Sequence, residues 1–441
     1  MVSEQKVNWF KLSLELHRKY IGKIEVVPKV PVTRLDDFAI WYTPGVAEPC
    51  RKIFREGKDL SFDYTCRWNY IAVVSDGTRI LGLGDIGAEA GLPVMEGKAL
   101  LFKYLGGVDA IPLVLATKDP DKFIEVVKIL EPSFGGINLE DIASPKCFYI
   151  LEKLREILEI PVWHDDQQGT ALVTLAGLLN ALKIVGKKLS EVKIALVGAG
   201  AAGLSIARYL IVAGANPKKM IAVDSKGILH PGRPDIDKLK ETNPWKYKLA
   251  MKTNAEGRTG GIPEALEGAD VLIAASRPGP GIIKKEWIRK MASDPVVFTE
   301  ANPVPEIWPW EAKEAGAKVV ATGRSDFPNQ INNSLGFPAV FRGALTVRSK
   351  KITDGMCIAA AHALARYAEK KGIHEEYIIP TMEETEAFVE EAIAVAEKAM
   401  EEGVARKKLS RSELEHEVRE LIYRSQKYMK LALEHGLIEP Y

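Results

Sequence analysis

Residues 160–171 end a short apolar run on two adjacent carboxylates, Asp165 and Asp166, and an apolar helical pattern begins at once after them. Neighbouring carboxylate anions repel, so a pair kept at a strand-to-helix junction points to something positive beside it. The other reading is a solvated loop with Asp166 near a helix N-terminus, where the helix dipole favours negative charge. A second acidic pair, Glu140 and Asp141, ends the short strand pattern of residues 135–139. Ser144-Pro145 follows it in the form of an N-cap with proline at the first helical position. In a parallel α/β sheet both pairs fall at the carboxyl edge of neighbouring strands, where ligands bind. Such a set of carboxylates suits a hard divalent cation, Mg²⁺ or Mn²⁺, and equally a solvated edge.

Three other side chains carry chemistry-bearing groups. Lys98 opens an apolar helix that runs on through Leu100, Leu101, Phe102 and Leu105. It is either a surface lysine with a snorkelling stem or a desolvated one with a lowered pKa. Tyr42 stands just before the turn Thr43-Pro44-Gly45 and, from position alone, reads as structural. Asn302 follows the strand expected over 296–299, and Asn333 lies in a loop past the last strand. Each is a turn asparagine or a ligand contact.

A phosphate-binding pattern lies further along. Residues 192–197 form an apolar strand that runs into Gly198-Ala199-Gly200-Ala201-Ala202-Gly203 and then a helix over 204–213. These glycines permit a tight turn, close approach of a pyrophosphate and close helix-to-strand packing. The next strand, 220–223, ends in Asp224, placed to accept hydrogen bonds from an adenosine ribose.

The elements that position these groups read as follows. A helix over 8–20 stops at Gly22, and another follows Thr43-Pro44-Gly45 through Ile53. Residues 71–75 alternate as a strand, and Asp76-Gly77 signals a hairpin with a return strand over 79–81. A buried strand spans 110–116 and a helix 121–130. A long apolar helix covers 169–185, and strands at 270–275, 296–299 and 317–321 continue the α/β alternation. Beyond Thr353 the chain is helical. Thr381 with Glu384, and Ser410 with Glu413, form capping boxes before apolar stripes. The fold class expected is α/β: a Rossmann-like parallel-sheet dinucleotide-binding domain, an N-terminal α/β domain, and C-terminal helices. The expected divisions are 1–160, 161–350 and 351–441.

Bulk properties narrow the function classes. The 441 residues carry a formal net charge of +1 and are 46% hydrophobic. That balance favours neither nucleic acid nor a membrane surface as a partner. No apolar run is long enough to span a bilayer, and residues 1–6 form no signal region. Cys50, Cys66, Cys147 and Cys357 are far apart, which suits a reduced, cytoplasmic protein and argues against a cysteine zinc site.

Taken in order, several stretches resemble the malic enzymes of compact prokaryotic type. They are Tyr42-Thr43-Pro44-Gly45-Val46-Ala47, Leu81-Gly82-Leu83-Gly84-Asp85-Ile86-Gly87, residues 93–98, Leu139-Glu140-Asp141, His164-Asp165-Asp166-Gln167-Gln168-Gly169-Thr170 and the Gly198 loop. The resemblance implies oxidative decarboxylation of (S)-malate to pyruvate and CO₂ with NAD or NADP as hydride acceptor. It implies Glu140, Asp141 and Asp166 as metal ligands, Lys98 as general base, Asp165 as its supporting carboxylate and Tyr42 as the acid that protonates enolpyruvate. Asn302 and Asn333 match positions near substrate and nicotinamide. It assigns the N-terminal domain to malate and metal, and the C-terminal helices to packing between domains or subunits. It further implies a homodimer or higher homo-oligomer in which Tyr42 serves its own or a neighbouring subunit's site. Asp224 favours NAD; Lys226 and Arg233, close enough to meet a 2′-phosphate, tip the balance slightly to NADP. Arg79 sits where larger relatives bind the substrate carboxylate. Three rivals share the scaffold: a malolactic enzyme, an oxaloacetate decarboxylase and a non-catalytic dinucleotide sensor.

Overall fold

A computed structural model describes residues 8–441; the expectation for residues 1–6 lies outside the described residues. Two parallel sheets organise the chain. The first contains β1 (Tyr70–Ser75), β2 (Asp109–Val114), β3 (Gly136–Leu139) and β4 (Val162–His164) in the order β2-β1-β3-β4. All its pairings are parallel. The second contains β5 (Ile194–Val197), β6 (Met220–Asp224), β7 (Gly227–Ile228), β8 (Val271–Ala274), β9 (Val296–Thr299) and β10 (Val319–Thr322). Its order is β10-β9-β8-β5-β6-β7, parallel except for the short β7. The α/β class read from the sequence is the one observed.

β5, β8 and β9 are continuous apolar runs buried throughout, because helices cover both faces of a parallel sheet. Strand order reverses direction between β5 and β8. The Gly198 loop leaves β5 at that point, which is where doubly wound sheets open a ligand crevice.

The helix Ala88–Gly106 packs between the first sheet and the C-terminal helices Phe337–Thr346 and Arg411–Glu434. The helix Asp354–Lys371 packs on Thr170–Ile184 and on Thr385–Glu401. Among the described residues no helix is long and apolar enough to cross a membrane.

Several local expectations are corrected. Asp76-Gly77 makes no hairpin: β1 is already paired on both sides, by β2 and β3, so a return strand has no edge to join. Asp76 is buried instead, accepting from the amide and hydroxyl of Thr78 and from Lys146. β2 is an edge strand and mostly half-buried rather than fully buried. Lys98 lies mid-helix, because the helix starts at Ala88 and continues through Pro93. Proline this near a helix start forfeits little of the hydrogen-bond ladder. Ser144 does not cap; Pro145 occupies the N-cap position and the helix begins at Lys146. The Thr381–Glu384 box is half formed. Glu384 accepts from the Thr381 amide, but it also binds Lys371 and Tyr377, and the helix starts at Thr385. The Ser410–Glu413 box is complete.

Candidate active site

β3 and β4 pair with Leu139 opposite His164, so the residues that follow, Glu140 and Asp165, leave adjacent strand ends together. Strand alternation puts Asn138 on the same face as Glu140, and Trp163 on the same face as Asp165. Both neighbours are used. Asn138 Nδ2 donates to Glu140 Oε2 at 3.0 Å, and the Trp163 indole donates to Asp165 Oδ1 at 3.1 Å. Asp166, the next residue, receives the Asp141 amide at 2.9 Å. Asp141 adopts a left-handed backbone with φ of 55°. This turns its carboxylate back toward the edge, where Oδ1 accepts from the Leu81 amide at 3.2 Å.

Lys98 reaches this edge from its helix. Its ammonium donates to Asp165, lies 3.2 Å from Glu140 Oε1, and donates to Asn333 Oδ1 at 3.2 Å. Two hydrogen bonds and one ion pair thus hold the ammonium. The same nitrogen sits 4.5 Å from the centre of the Phe337 ring, a cation–π contact. Neither sequence reading of Lys98 holds: the side chain is enclosed, at 12% exposure, rather than snorkelling at the surface, and its pKa is not lowered. Burial does work to lower it, but Asp165, Glu140 and Asp166 outweigh burial and the pKa is raised. Helix, two strand ends and the Asn333 loop converge here, and a single-helix view of Lys98 omits those acids.

The carboxyls bear the opposite stress. Burial pushes Glu140 well up, the fields of Asp165, Asp166 and Asp141 add to it, and Lys98 opposes. Burial and then Asp166 push Asp141 up to about 8. Burial lowers His164, leaving a neutral imidazole with neither ring nitrogen hydrogen-bonded.

Glu140, Asp141 and Asp166 each present a carboxylate oxygen within 4.8 Å of the other two. Asp141 Oδ2 is buried and has no hydrogen-bond partner among the described residues. An all-oxygen set with a free buried acceptor, and with Glu140 and Asp141 pushed up by burial, fits a hard divalent cation.

The dinucleotide loop is built as tightly as its pattern requires. A Cβ on Gly203 would lie 1.9 Å from the Gly198 carbonyl oxygen, and one on Gly198 would lie 2.3 Å from that of Ala275. A Cβ on Gly200 would point into open space, the room a pyrophosphate needs beside the N-terminus of the helix Ala201–Val212. Ala199 completes the turn, while Ala201 and Ala202 begin the helix. At the end of β6, Asp224 accepts from Arg233 Nη1 at 2.9 Å, Lys246 Nζ at 3.1 Å and the Lys226 amide at 2.9 Å. Burial works to raise its pKa, but these partners win and hold it low, so it is an anion. The side chains of Lys226 and Arg233 both bind Asp235. A cavity of about 370 Å³ lies alongside, lined by Lys226, His230, Arg233 and Asp235 among others.

Lys98, Glu140, Asp141, Asp165, Asp166 and Asn333 are thus brought together. Asn302 lies at the neighbouring sheet edge, its carbonyl against Gly82 and its amide against Gly323. Arg79 donates its amide to the Asp141 carbonyl, and its side chain is exposed. Tyr42 is not brought in: it is 70% exposed, and its hydroxyl has no hydrogen bond among the described residues. Sequence reasoning passed over Asn138, Trp163, Phe337 and Lys246. The first two carried a usable signal, spacing of two residues from an acid at a strand end. The other two depend on tertiary approach.

The chain matches the family models "Malic enzyme, N-terminal domain" over residues 21–155 and "Malic enzyme, NAD binding domain" over 167–400. It is 48% identical to the bifunctional malic/malolactic enzyme of Bacillus subtilis (strain 168), over 93% of this chain and 97% of that one. It is 50% identical to the NAD-dependent malic enzyme of Geobacillus stearothermophilus, over 88% of this chain and 78% of that one. The crystal structure of the Entamoeba histolytica malic enzyme superposes with a TM-score of 0.95 at 49% identity, covering 98% of this chain and 90% of that one. With two family models spanning most of its length and the site geometry in agreement, this chain belongs to the malic enzyme family.

Proposed function

We propose that this chain catalyses oxidative decarboxylation of (S)-malate to pyruvate and CO₂, reducing NAD⁺ or NADP⁺ and requiring Mg²⁺ or Mn²⁺. The observation that carries the reading is Lys98, held by Asp165, Glu140 and Asn333 beside a three-carboxylate cluster. Glu140, Asp141 and Asp166 hold the cation, and the Gly198 to Gly203 loop holds the dinucleotide. A cation held there would supply Lewis acidity at the C2 oxygen of malate and offset the negative field around Lys98, and a bound nicotinamide would supply the hydride acceptor. With the negative field around it offset by the cation, Lys98 would act as the neutral amine that takes the C2 hydroxyl proton, and Asp165, fixed by Trp163, would hold the ammonium so formed. Asn333 orients the lysine, and Asn302 lies where nicotinamide and substrate meet. Tyr42 delivers a proton to C3 of the enol left when CO₂ departs.

We place Tyr42 in the site of a second copy of the chain, a reading supported by its 70% exposure. None of residues 8–61 is buried, and large apolar side chains such as Phe10, Ile21, Leu35 and Phe54 lie open along that arm. An arm with this many exposed large apolar side chains and no buried residue is what an obligate interface covers. We read the assembly as a homodimer whose arms exchange, each supplying Tyr42 to the other subunit.

The direct test is an initial-rate assay with malate and Mn²⁺, run with NAD⁺ and with NADP⁺ in parallel and repeated with EDTA. Pyruvate, CO₂ and reduced dinucleotide appear in equal amounts, and EDTA abolishes all three. Lactate formed without net dinucleotide reduction identifies a malolactic enzyme and sinks the reading.

The two aspartates divide the work. Asp166→Asn weakens Mn²⁺ binding by about 100-fold, because it removes a ligand charge. Asp165→Asn lowers kcat by about 100-fold, because it removes the partner of the lysine. Mn²⁺ titrations and saturating-metal kinetics on both variants check this, and equal effects on both quantities rule the division out.

A further inference from the structure

Glu300 follows β9 directly and lies two residues before Asn302. Its amide donates to the Ala274 carbonyl at 2.8 Å, so its backbone is fixed at the carboxyl edge beside β8. Its side chain is buried. Oε1 lies 2.8 Å from the hydroxyl of Thr174, on the helix Thr170–Ile184. That hydroxyl also lies 2.7 Å from the Thr170 carbonyl oxygen. A carbonyl brings no proton and a hydroxyl brings one. Both short contacts are hydrogen bonds only if Glu300 brings the second proton. Otherwise two oxygens with no hydrogen between them face each other inside the protein, a costly arrangement.

The surroundings agree. Among the described residues Glu300 Oε2 is buried without a partner, and no cation lies near enough to balance a carboxylate. From the strand side the charge whose field reaches it, among the described residues, is Glu306, which is buried and accepts from the amide and hydroxyl of Ser276 and the amide of Ala301. From the helix side the contact is Thr174, which carries no charge.

We propose that Glu300 works as a protonated carboxylic acid, a positioning residue that donates to Thr174 and clamps the start of the 170–184 helix to the strand end bearing Asn302. Its loss of that proton loosens the dinucleotide site. The inference rests on the reading of the site given under Proposed function. The helix start has no slack to absorb a shift: a Cβ on Gly169, one residue before it, would lie 2.0 Å from Asp165 Oδ1 and 3.0 Å from Asn333 Cβ. A displacement at Thr170 therefore reaches the support of Lys98 as well as Asn302. Burial pushes the Glu300 carboxyl up to about 8, with Thr174 opposing and Glu306 adding. The acid is intact below that pH and is lost as the pH rises through it, so the clamp fails on the alkaline side.

The test uses Glu300→Gln, which keeps a neutral donor toward Thr174, and Glu300→Leu, which removes it. Binding of NADH and of NADPH is followed by fluorescence in the intact protein. Between about pH 7 and pH 9 the wild type weakens by about tenfold, the limit when only the acid form binds. Glu300→Gln matches the wild type at the lower pH and changes by less than about twofold across the range. Glu300→Leu is weakened throughout. In the wild-type minus Glu300→Gln infrared difference spectrum one buried carboxylic acid band remains and titrates near pH 8, while Asp141, pushed up to the same range, cancels. An identical pH profile in wild type and Glu300→Gln, or no such band, overturns the proposal even if Glu300→Leu does not fold. Failure of the wild type to oxidise malate overturns the reading of function instead, since neither measurement uses malate.

Discussion

Replacing Lys98 by alanine lowers kcat for malate oxidation by about 10³- to 10⁴-fold, the range expected when a positioned general base is removed. Dinucleotide binding stays within about twofold of wild type, because Lys98 lies on the first sheet's edge and the Gly198 loop on the second. Alanine also leaves Asp165 and Glu140 buried without their cation, which costs about 3–5 kcal/mol when one partner of a buried pair is deleted. Loss of activity in this variant alone is therefore ambiguous. Lys98→Arg resolves it. A guanidinium keeps the positive charge that Asp165 and Glu140 require, but it does not give up its proton near neutral pH. We expect Lys98→Arg to melt close to the wild type and still lose about 10³-fold in kcat. Turnover by Lys98→Arg above about a tenth of the wild-type rate would falsify the assignment of Lys98 as base.

The parts of this site that were legible in the sequence are those whose signal is local. The Gly198 loop is one: each glycine answers to a steric demand within a few residues or at the next strand end, so pattern and structure agree. The acidic pairs are another. Each ends its own strand, and the rule that ligands sit at the carboxyl edge of a parallel sheet brings them together without knowledge of the register. The Leu139 to His164 pairing then makes Glu140 and Asp165 neighbours. What stayed hidden depends on segments far apart in the chain. The sequence puts Lys98 at a helix start, whereas the helix begins at Ala88 and runs through Pro93; the acids that enclose Lys98 and raise its pKa come from other elements. Asp76-Gly77 has the composition of a hairpin turn, but strand pairing decides its fate, and β1 had no free edge. Glu300 gave no signal at all. Its character rests on a hydroxyl 126 residues away and on a carbonyl one helical turn from that hydroxyl.

Mixing two inactive variants restores activity. Tyr42→Phe lacks the phenol that protonates C3, and Lys98→Ala lacks the base, so each homodimer is nearly inert. If the arms exchange, a heterodimer of the two holds one site with both lesions and one site with neither. Heterodimers isolated through a different affinity tag on each chain then turn over at about half the wild-type rate per dimer, and an unselected equimolar co-expression gives about a quarter. If Tyr42 served its own subunit, every site in every mixture would carry a lesion and nothing would be regained. The geometry favours exchange. Tyr42 ends the short helix Asp37–Trp41, on an arm without a single buried residue from 8 to 61, while Lys98 is almost enclosed within the same chain. The arm is nevertheless held in a defined course: Lys23 donates to the Pro93 carbonyl on the Lys98 helix, and the Trp41 indole donates to the Pro31 carbonyl. An arm that is ordered, apolar and uncovered lacks only its partner. A monomer produced by charged substitutions at Phe54 and Leu35, both more than 80% exposed, retains dinucleotide binding and loses malate oxidation. A fully active monomer, or mixtures that stay inert, would place Tyr42 outside the partner's site.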